Sequence, residues 1–338
     1  MISQKFIRRF QQVCDAAQEF VIVTHINPDG DAIGSEYALA AFLVSRGKRV
    51  KIVNQDPIPE SLRFIENPDI PAELYAPDRH DPLLQQAERV VLVDNSAPDR
   101  LGQMEPVMRA VASSTLCIDH HPTRTAPWAD NILDVDYCAT TAMIYDLTRA
   151  CDWQPDVGTA RAIYVGLVTD TGFFRFNSTN ARTHEIAAEL LKLGVEPARA
   201  YQEIYERNPV AYAKLLGNAL AGLRLDAAGA VASVKITREM IEALEADEVD
   251  PTEITTSLLA TDGVRVAILF RELGDGRIKV SLRSKGSLDV HQLASEFGGG
   301  GHRNASGIVM PGEIDEVIRV VTDRASALLD GDGARQSV

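Results

Sequence analysis

The sequence has few cysteines, no basic excess and no long apolar run, and each shortage closes off a class of protein. Cys14, Cys117, Cys138 and Cys151 are the only four thiols in 338 residues. None forms a C-x-x-C pair, so a zinc ribbon has no ligands to build on. Each lies among apolar neighbours, the setting of buried thiols in a reducing compartment. No stretch approaches the ~20 apolar residues of a membrane span. The opening M-I-S-Q-K-F-I-R-R-F lacks the apolar core of a secretory signal. The chain is therefore expected in the cytoplasm, with no membrane partner. Lys and Arg number 34 against 48 Asp and Glu, a formal charge of −14. Long duplex nucleic acid needs clustered cations that this balance does not supply. A local site for a small anion remains compatible with it.

What is present is an ordinary globular mixture, 45% apolar and 24% charged, at a length that suggests two domains. Ile2, Phe6, Phe10 and Val13 fall at helical spacing. Val21 to Thr24 is a β-branched run ending at the turn Asn27-Pro28-Asp29-Gly30. A helical pattern follows from Asp31 to Ser45, with Ala38, Leu39, Phe42 and Leu43 on one face. Further apolar runs at Val50–Val53, Val90–Val93 and Leu116–Ile118 read as buried strands, alternating with helical patterns near 139–150 and 157–168. This order predicts an α/β domain over 1–180, a mostly parallel sheet flanked by helices. Residues 181–222 read as a helical connector broken near Gly194 and Asn208-Pro209. Strand-like runs at 231–236, 264–271 and 278–283, with helical patterns at 289–297 and 313–329, predict a smaller α/β domain over 223–330. Residues 331–338 read as a polar tail.

Four places close an element with acids or imidazoles: His25 to Asp31, Asp94-Asn95-Ser96, Asp119-His120-His121-Pro122, and Asp170-Thr171-Gly172. Taken singly, each is ordinary. Pro-Asp-Gly is usually a turn, and an Asp after a strand is often a helix N-cap. Taken together they are not, because three of them close parallel strands whose ends share one edge, where ligands bind in such sheets. Five carboxylates and three imidazoles on one rim need compensation, since close like charges raise one another's pKa. Oxygen ligands with a minority of imidazole and no thiolate select Mn²⁺ or Mg²⁺ over structural zinc. Asp29, Asp31, Asp94 and Asp170 carry four negative charges, which two divalent cations cancel. Paired ions are the recurring device of phosphoester hydrolysis.

The motifs H-I-N-P-D-G-D-A-I-G-S (25–35), V-D-N-S (93–96), D-H-H-P (119–122) and T-D-T-G (169–172) resemble those of the DHH phosphoesterase superfamily. G-G-G-G-H-R-N-A-S-G (298–307) resembles the signature of its DHHA1 companion domain. The chain is most similar to the NrnA-like group, nanoRNases that also act as 3′-phosphoadenosine 5′-phosphate phosphatases. The resemblance implies two Mn²⁺ (or Mg²⁺) ions. His25, Asp29 and Asp94 would hold one, and Asp31, Asp94, His120 and Asp170 the other, with Asp94 bridging. Asp119 would fix an imidazole tautomer, and His121 would act on the scissile phosphate as donor or general acid. It also implies an active site in a cleft between the two domains.

Gly298–Gly301 reads in isolation as a flexible loop. Backbone without Cβ can also approach a phosphate closely. Residues 276–310 carry Arg277, Lys279, Arg283, Lys285 and Arg303 against Asp289 and Glu296, a positive island in an acidic domain. Arg277 and Lys279 are read as solvating a hairpin. Arg283, Ser284, Gly299, Gly300, Gly301, His302 and Arg303 are expected at a substrate. In Phe173-Phe174-Arg175-Phe176, two rings are expected in the core, and one is a candidate for stacking on a base. Expected substrates are short RNA oligonucleotides, linear dinucleotides and 3′-phosphoadenosine 5′-phosphate. Rival readings are a soluble cyclic-dinucleotide phosphodiesterase, an inorganic polyphosphatase, a long-strand exonuclease of the RecJ kind, and an inactive nucleotide-binding regulator. The oligomeric state, a homodimer included, is left open.

Overall fold

In a computed structural model of the chain, the described residues are 2–123, 126–247 and 249–335, with the side chains of 302 and 330–335 outside the description. The chain divides into two compact units, Met1–Arg207 and Asn208–Val338. The first contains strands β1 (Glu19–Val23), β2 (Arg49–Asn54), β3 (Ala72–Leu74), β4 (Arg89–Val93), β5 (Thr115–Asp119) and β6 (Asp130–Leu133). Its helices are α1 (Gln4–Ala16), α2 (Gly30–Ser45), α3 (Pro77–Gln86), α4 (Glu105–Ala110), α5 (Thr140–Arg149), α6 (Val157–Asp170), α7 (Ala181–Lys192) and α8 (Pro197–Tyr205). The sheet is wholly parallel, in the order β3-β2-β1-β4-β5-β6.

Two cores cover its two faces. Ile22, Val91, Val93 and Ile118 point into one, and Val21, Val23, Val90 and Leu92 into the other. Alternate residues thus leave opposite faces, and both faces are covered, which is why these strands read as continuous apolar runs. Helix α2 is buried nearly all round and not along one face only. It packs on α6, where Gly34 lies so close that a Cβ would sit 2.5 Å from the Ala162 carbonyl oxygen.

The second unit contains α9 (Val210–Ala221), β7 (Arg224–Asp226), β8 (Val231–Ile236), α10 (Arg238–Ala243), α11 (Ile254–Leu259), β9 (Val266–Glu272), β10 (Arg277–Ser284), α12 (Val290–Glu296), β11 (Gly300–His302), β12 (Ala305–Pro311) and α13 (Ile314–Arg335). Its sheet runs β11-β12-β10-β9-β8-β7, and only β8 and β9 pair in parallel. The expected hairpin is β9–β10.

Three expectations change. The division between units falls inside the helical segment 181–222, so α7 and α8 belong to the first unit and α9 to the second. Residues 331–335 continue α13 where a tail was expected, because propagating a helix needs no new nucleation. Cys151 is half-buried, since it follows the last turn of α5, while Cys14, Cys117 and Cys138 are buried; all four are free thiols. Among the described residues, no helix is long and apolar enough to cross a membrane.

Candidate active site

Strand order reverses between β1 and β4, and ligands of open parallel sheets bind outside the carboxyl ends at such a switch point. His25 follows β1, Asp94 follows β4, and Asp119, His120 and His121 close β5. Asp29 caps α2 by accepting from the amides of Asp31 and Ala32 at 3.0 and 3.1 Å. The turn and cap readings of this segment therefore hold alongside the clustering. Asp170 is the last residue of α6, brought to Asp31 by the α2–α6 contact: a Cβ on Gly30 would sit 2.4 Å from Thr169 Oγ1. Two of the turns are strained. Asn27 has φ 51° and Asp94 φ 58°, left-handed values uncommon outside glycine and typical of functional sites.

Three groups form on this rim: His25, Asp29 and Asp94; Asp31, His120 and Asp170; and Asp94, His120 and His121. Within each, the ligand atoms lie within 4.8 Å of one another. Asp94 and His120 each belong to two groups.

The imidazoles show what the rim lacks. His25 Nδ1 lies 2.7 Å from the Ile26 carbonyl and 3.1 Å from the Arg100 guanidinium. A carbonyl only accepts and a guanidinium only donates, so Nδ1 serves one of them, and the shorter contact puts the proton on Nδ1. Nε2 then turns a lone pair on Asp94 Oδ2, 3.3 Å away. His120 repeats the pattern. Its Nδ1 donates to the Tyr137 carbonyl at 3.1 Å. Nε2 faces Asp170 Oδ2 at 2.9 Å, Asp94 Oδ1 at 3.7 Å and Asp31 Oδ2 at 3.8 Å. Imidazole nitrogens and carboxylates that converge in a buried site fit cations between them, which would displace the proton His120 shares with Asp170. Oxygen and imidazole donors suit Mg²⁺ or Mn²⁺.

The titration shifts have the same origin. Burial, with Asp31 and Asp29 beside it, pushes the Asp94 carboxyl well above its usual range. Burial lifts Asp170 to about 6, against the bond from His120. For His120, burial is overcome by Asp170 and Asp31, which raise it to about 9. Burial, with Arg100 alongside, pushes His25 down. Asp119 goes the other way: burial would raise it, but the bonds from His121 hold it low. Its Oδ1 accepts from the His121 amide at 3.0 Å and from His121 Nδ1 at 2.8 Å. The imidazole that Asp119 fixes is therefore that of His121.

In the second unit the second half of the glycine run, Gly300 and Gly301, is strand. β11 pairs with β12 through Gly300↔Gly307, Gly301↔Ser306 and His302↔Ala305. A Cβ on Gly299 would sit 2.2 Å from the Gly307 carbonyl oxygen, and one on Gly301 2.5 Å from that of Ala305. Gly300 has open space. Ser284 is buried, its hydroxyl donating to the Leu288 carbonyl at 2.7 Å and accepting from Asn304 at 2.9 Å. That hydroxyl braces the 284–288 turn and does not face outward. Arg283 is half-buried, and desolvation lowers its pKa. Arg303 is exposed, donating to the Ser287 carbonyl from Nε and a terminal nitrogen at 3.2 and 2.7 Å. The side chain of His302 lies outside the described residues.

The N-terminal domain of the DHH family matches residues 19–167, and the DHHA1 domain matches 226–327. The bifunctional oligoribonuclease and PAP phosphatase NrnA of Thermus thermophilus is 31% identical over 307 residues, 89% of this chain and 87% of that protein. The chain belongs to the DHH family. The NrnA of Bacillus subtilis is 28% identical over 307 residues, 90% of this chain and 92% of that protein. A crystal structure of an exopolyphosphatase-related protein from Bacteroides fragilis has TM-score 0.89 and 28% identity, covering 97% of each chain.

The DHH unit also relies on residues that the motifs do not contain. The first turn of α5 holds Asp31: the Thr140 amide donates to Oδ2 at 2.6 Å, and the Thr141 amide and hydroxyl to Oδ1 at 2.8 and 2.7 Å. The Thr140 hydroxyl donates to Asp94 Oδ1 at 2.9 Å. A helix N-terminus thus anchors a fully buried acid. The available signal was a pair of threonines opening a helix pattern, a pairing common enough to pass as a cap. Tyr137 lends His120 its carbonyl while its hydroxyl donates to Asp146 at 2.6 Å. A backbone carbonyl leaves no trace in a sequence.

Proposed function

We propose that this DHH-family chain is a phosphoesterase. It hydrolyses RNA oligomers of a few nucleotides and linear dinucleotides to mononucleotides, and removes the 3′-phosphate of 3′-phosphoadenosine 5′-phosphate to leave AMP. The observation that carries this is the convergence of three buried or half-buried carboxylates on His120 Nε2, with Asp170 Oδ2 at 2.9 Å, Asp94 Oδ1 at 3.7 Å and Asp31 Oδ2 at 3.8 Å. His25, Asp29 and Asp94 would hold one divalent cation, and Asp31, Asp94, His120 and Asp170 a second, Mn²⁺ or Mg²⁺. Bound there, such a pair supplies Lewis acidity to the phosphate and activates the attacking water.

The protein's own residues do the rest. Thr140 and Thr141 fix Asp31, so that both oxygens are already oriented. Ile26 and Tyr137 keep protons on the Nδ1 atoms, which leaves Nε2 of His25 and His120 as the ligating lone pairs. Asp119 holds a proton on Nδ1 of His121, and His121 is placed to hydrogen-bond the phosphate or protonate the leaving oxygen. In the DHHA1 unit, Arg303 and the open Gly300 are the candidates for phosphate contact, with Arg283 and His302. The acidic net charge supports short substrates over long strands. Incubation with Mn²⁺ and a dinucleotide, 5-mer, 20-mer, cyclic dinucleotides, the bisphosphate and inorganic polyphosphate, with products separated by chromatography, tests the reading. Fast turnover of the dinucleotide, 5-mer and bisphosphate is expected. Equal rates on 5-mer and 20-mer, or turnover of polyphosphate alone, would overturn it.

A further inference from the structure

The three rings that follow Asp170 are placed differently. Phe173 packs edge-on against Tyr201 and Tyr205, with centroids at 5.0 and 5.3 Å. Phe174 stacks on His184 at 4.9 Å. Both lean on the core of the first unit. Phe176 is 53% exposed. Two of the three rings thus pack on the core, and the third is exposed.

Phe176 is exposed but not loose. Its amide and that of Arg175 donate to the Thr171 carbonyl at 3.0 and 2.9 Å. The Phe174 amide donates to the Thr171 hydroxyl at 3.2 Å, and Arg175 Nε to the Gly172 carbonyl at 2.7 Å. The ring rests on Gly172: a Cβ there would meet ring carbons at 2.6 to 2.9 Å. Gly172 also has φ 54°. The glycine of T-D-T-G is therefore required twice, by its backbone and as the seat of this ring, two residues from Asp170. An aromatic ring whose backbone is held in a turn and which is half exposed loses little entropy when a flat apolar group covers it.

We propose that Phe176 is a stacking platform for a nucleobase of the substrate, on the nucleotide whose phosphate is attacked beside Asp170. This rests on the phosphoesterase reading and deepens it. Stacking uses the π face common to all bases, so the site would read the presence of a base and not its identity, as suits an enzyme clearing RNA fragments of mixed sequence.

The test compares kcat/KM for 3′-phosphoadenosine 5′-phosphate with that for the same bisphosphate carrying hydrogen in place of adenine, in wild type, F176A, F176L and F176W. A base–aromatic contact predicts that the ratio of the two falls roughly 5- to 100-fold in F176A and F176L and is largely kept in F176W. F176L keeps an apolar group on Gly172, so a loss shared by both variants comes from the ring and not from a disturbed turn. An unchanged ratio in F176A overturns the proposal. A second arm needs no turnover: AMP should quench the added tryptophan emission of F176W, relative to wild type, more than ribose 5-phosphate does. Equal quenching overturns the platform. If wild type hydrolyses neither bisphosphate, the phosphoesterase reading fails, and the fluorescence arm still decides whether a base stacks there.

Discussion

Asp94 and Gly299 each occupy a position that another residue would fill only at a cost, and the two costs differ in kind. Asp94 sits 1% exposed among other carboxylates, in a left-handed backbone conformation, with burial and its neighbours all disfavouring its charge. Its contacts with Thr140 and His25 leave that charge without a cation beside it. Gly299 is held by its own sheet, 2.2 Å of clearance to the Gly307 carbonyl leaving no room for a methyl group. Side chains that are expensive without a ligand therefore point to one. Glycines that are explained by close backbone packing do not, however phosphate-like their motif.

The largest expected effect breaks the first half of this comparison. Asp94→Asn keeps the size of the side chain and removes its charge from two of the three groups. A fall of at least about 10³-fold in kcat/KM on a dinucleotide is expected, more than for Asp29→Asn, which belongs to one group. EDTA should abolish turnover and Mn²⁺ restore it. Full activity after exhaustive chelation would mean that the cluster is not a metal centre.

Next in size is a pair of glycines. Gly299→Ala forces Cβ against backbone, and a loss of about 1–3 kcal/mol in stability is expected, read by chemical denaturation of the full chain. Gly300→Ala meets open space, so its stability should stay within about 0.5 kcal/mol of wild type. If Gly300 is where the backbone approaches a phosphate, its alanine variant should nevertheless raise KM. Equal destabilisation by both variants would show that the run is one structural unit with no separable binding role.

The pattern of what the sequence revealed follows the same division. Acids and histidines closing apolar strands were legible because strand ends and residue chemistry are both written locally. The central strands were legible for the same reason. The short strands β3, β6 and β11 were not, and neither was β12: they are edge strands or glycine-containing, and take their conformation from pairing with a neighbour more than from their own pattern. Ser284, expected at a substrate, has partners in Leu288 and Asn304 that meet it only through a folded turn, so no local pattern shows them. Thr140 and Thr141 reach Asp31 across 109 and 110 residues, a distance no local pattern can bridge.

Comparable in size is Arg303→Ala. Loss of a charge-assisted phosphate contact should cost on the order of 1.5–3 kcal/mol in kcat/KM on the nucleotide substrates. Activity on bis(p-nitrophenyl) phosphate should fall much less, because that ester offers no second phosphate. Since Arg303 also donates twice to the Ser287 carbonyl, Arg303→Gln serves as a control that keeps a donor without the charge. Equal loss on both substrates would make Arg303 part of the chemistry or of the fold. No loss on either would return it to the solvated surface.

The smallest expected effect is on the stability of the metal-free protein. Asp170, raised from 3.8 to about 6, binds a proton more tightly in the fold than in the unfolded chain. The stability it contributes is present below about pH 4 and is lost as pH rises through about 6. His120, raised from 6.5 to about 9, contributes stability below its unfolded value that is lost as pH rises through about 9. Asp94 is raised as well, so it acts in the same direction. Asp119 is lowered, and its contribution is lost only as pH falls below the ordinary carboxylate range, outside this window. His25, lowered from 6.5, acts the other way, favouring the fold more as pH rises through that value; Asp170, His120 and Asp94 together outweigh it, so the EDTA-treated protein should melt at a temperature that drops by on the order of a few °C between pH 5 and pH 9. Divalent cations displace the shared protons, so Mn²⁺ should raise Tm more at pH 8 than at pH 5. Asp170→Asn should flatten the lower part of the metal-free profile, because the amide cannot titrate. A Tm of the metal-free protein that rose steadily over the same range would mean that the carboxylates are already compensated from within the fold, and the contrast between an unsatisfied first unit and a self-satisfied second would fall.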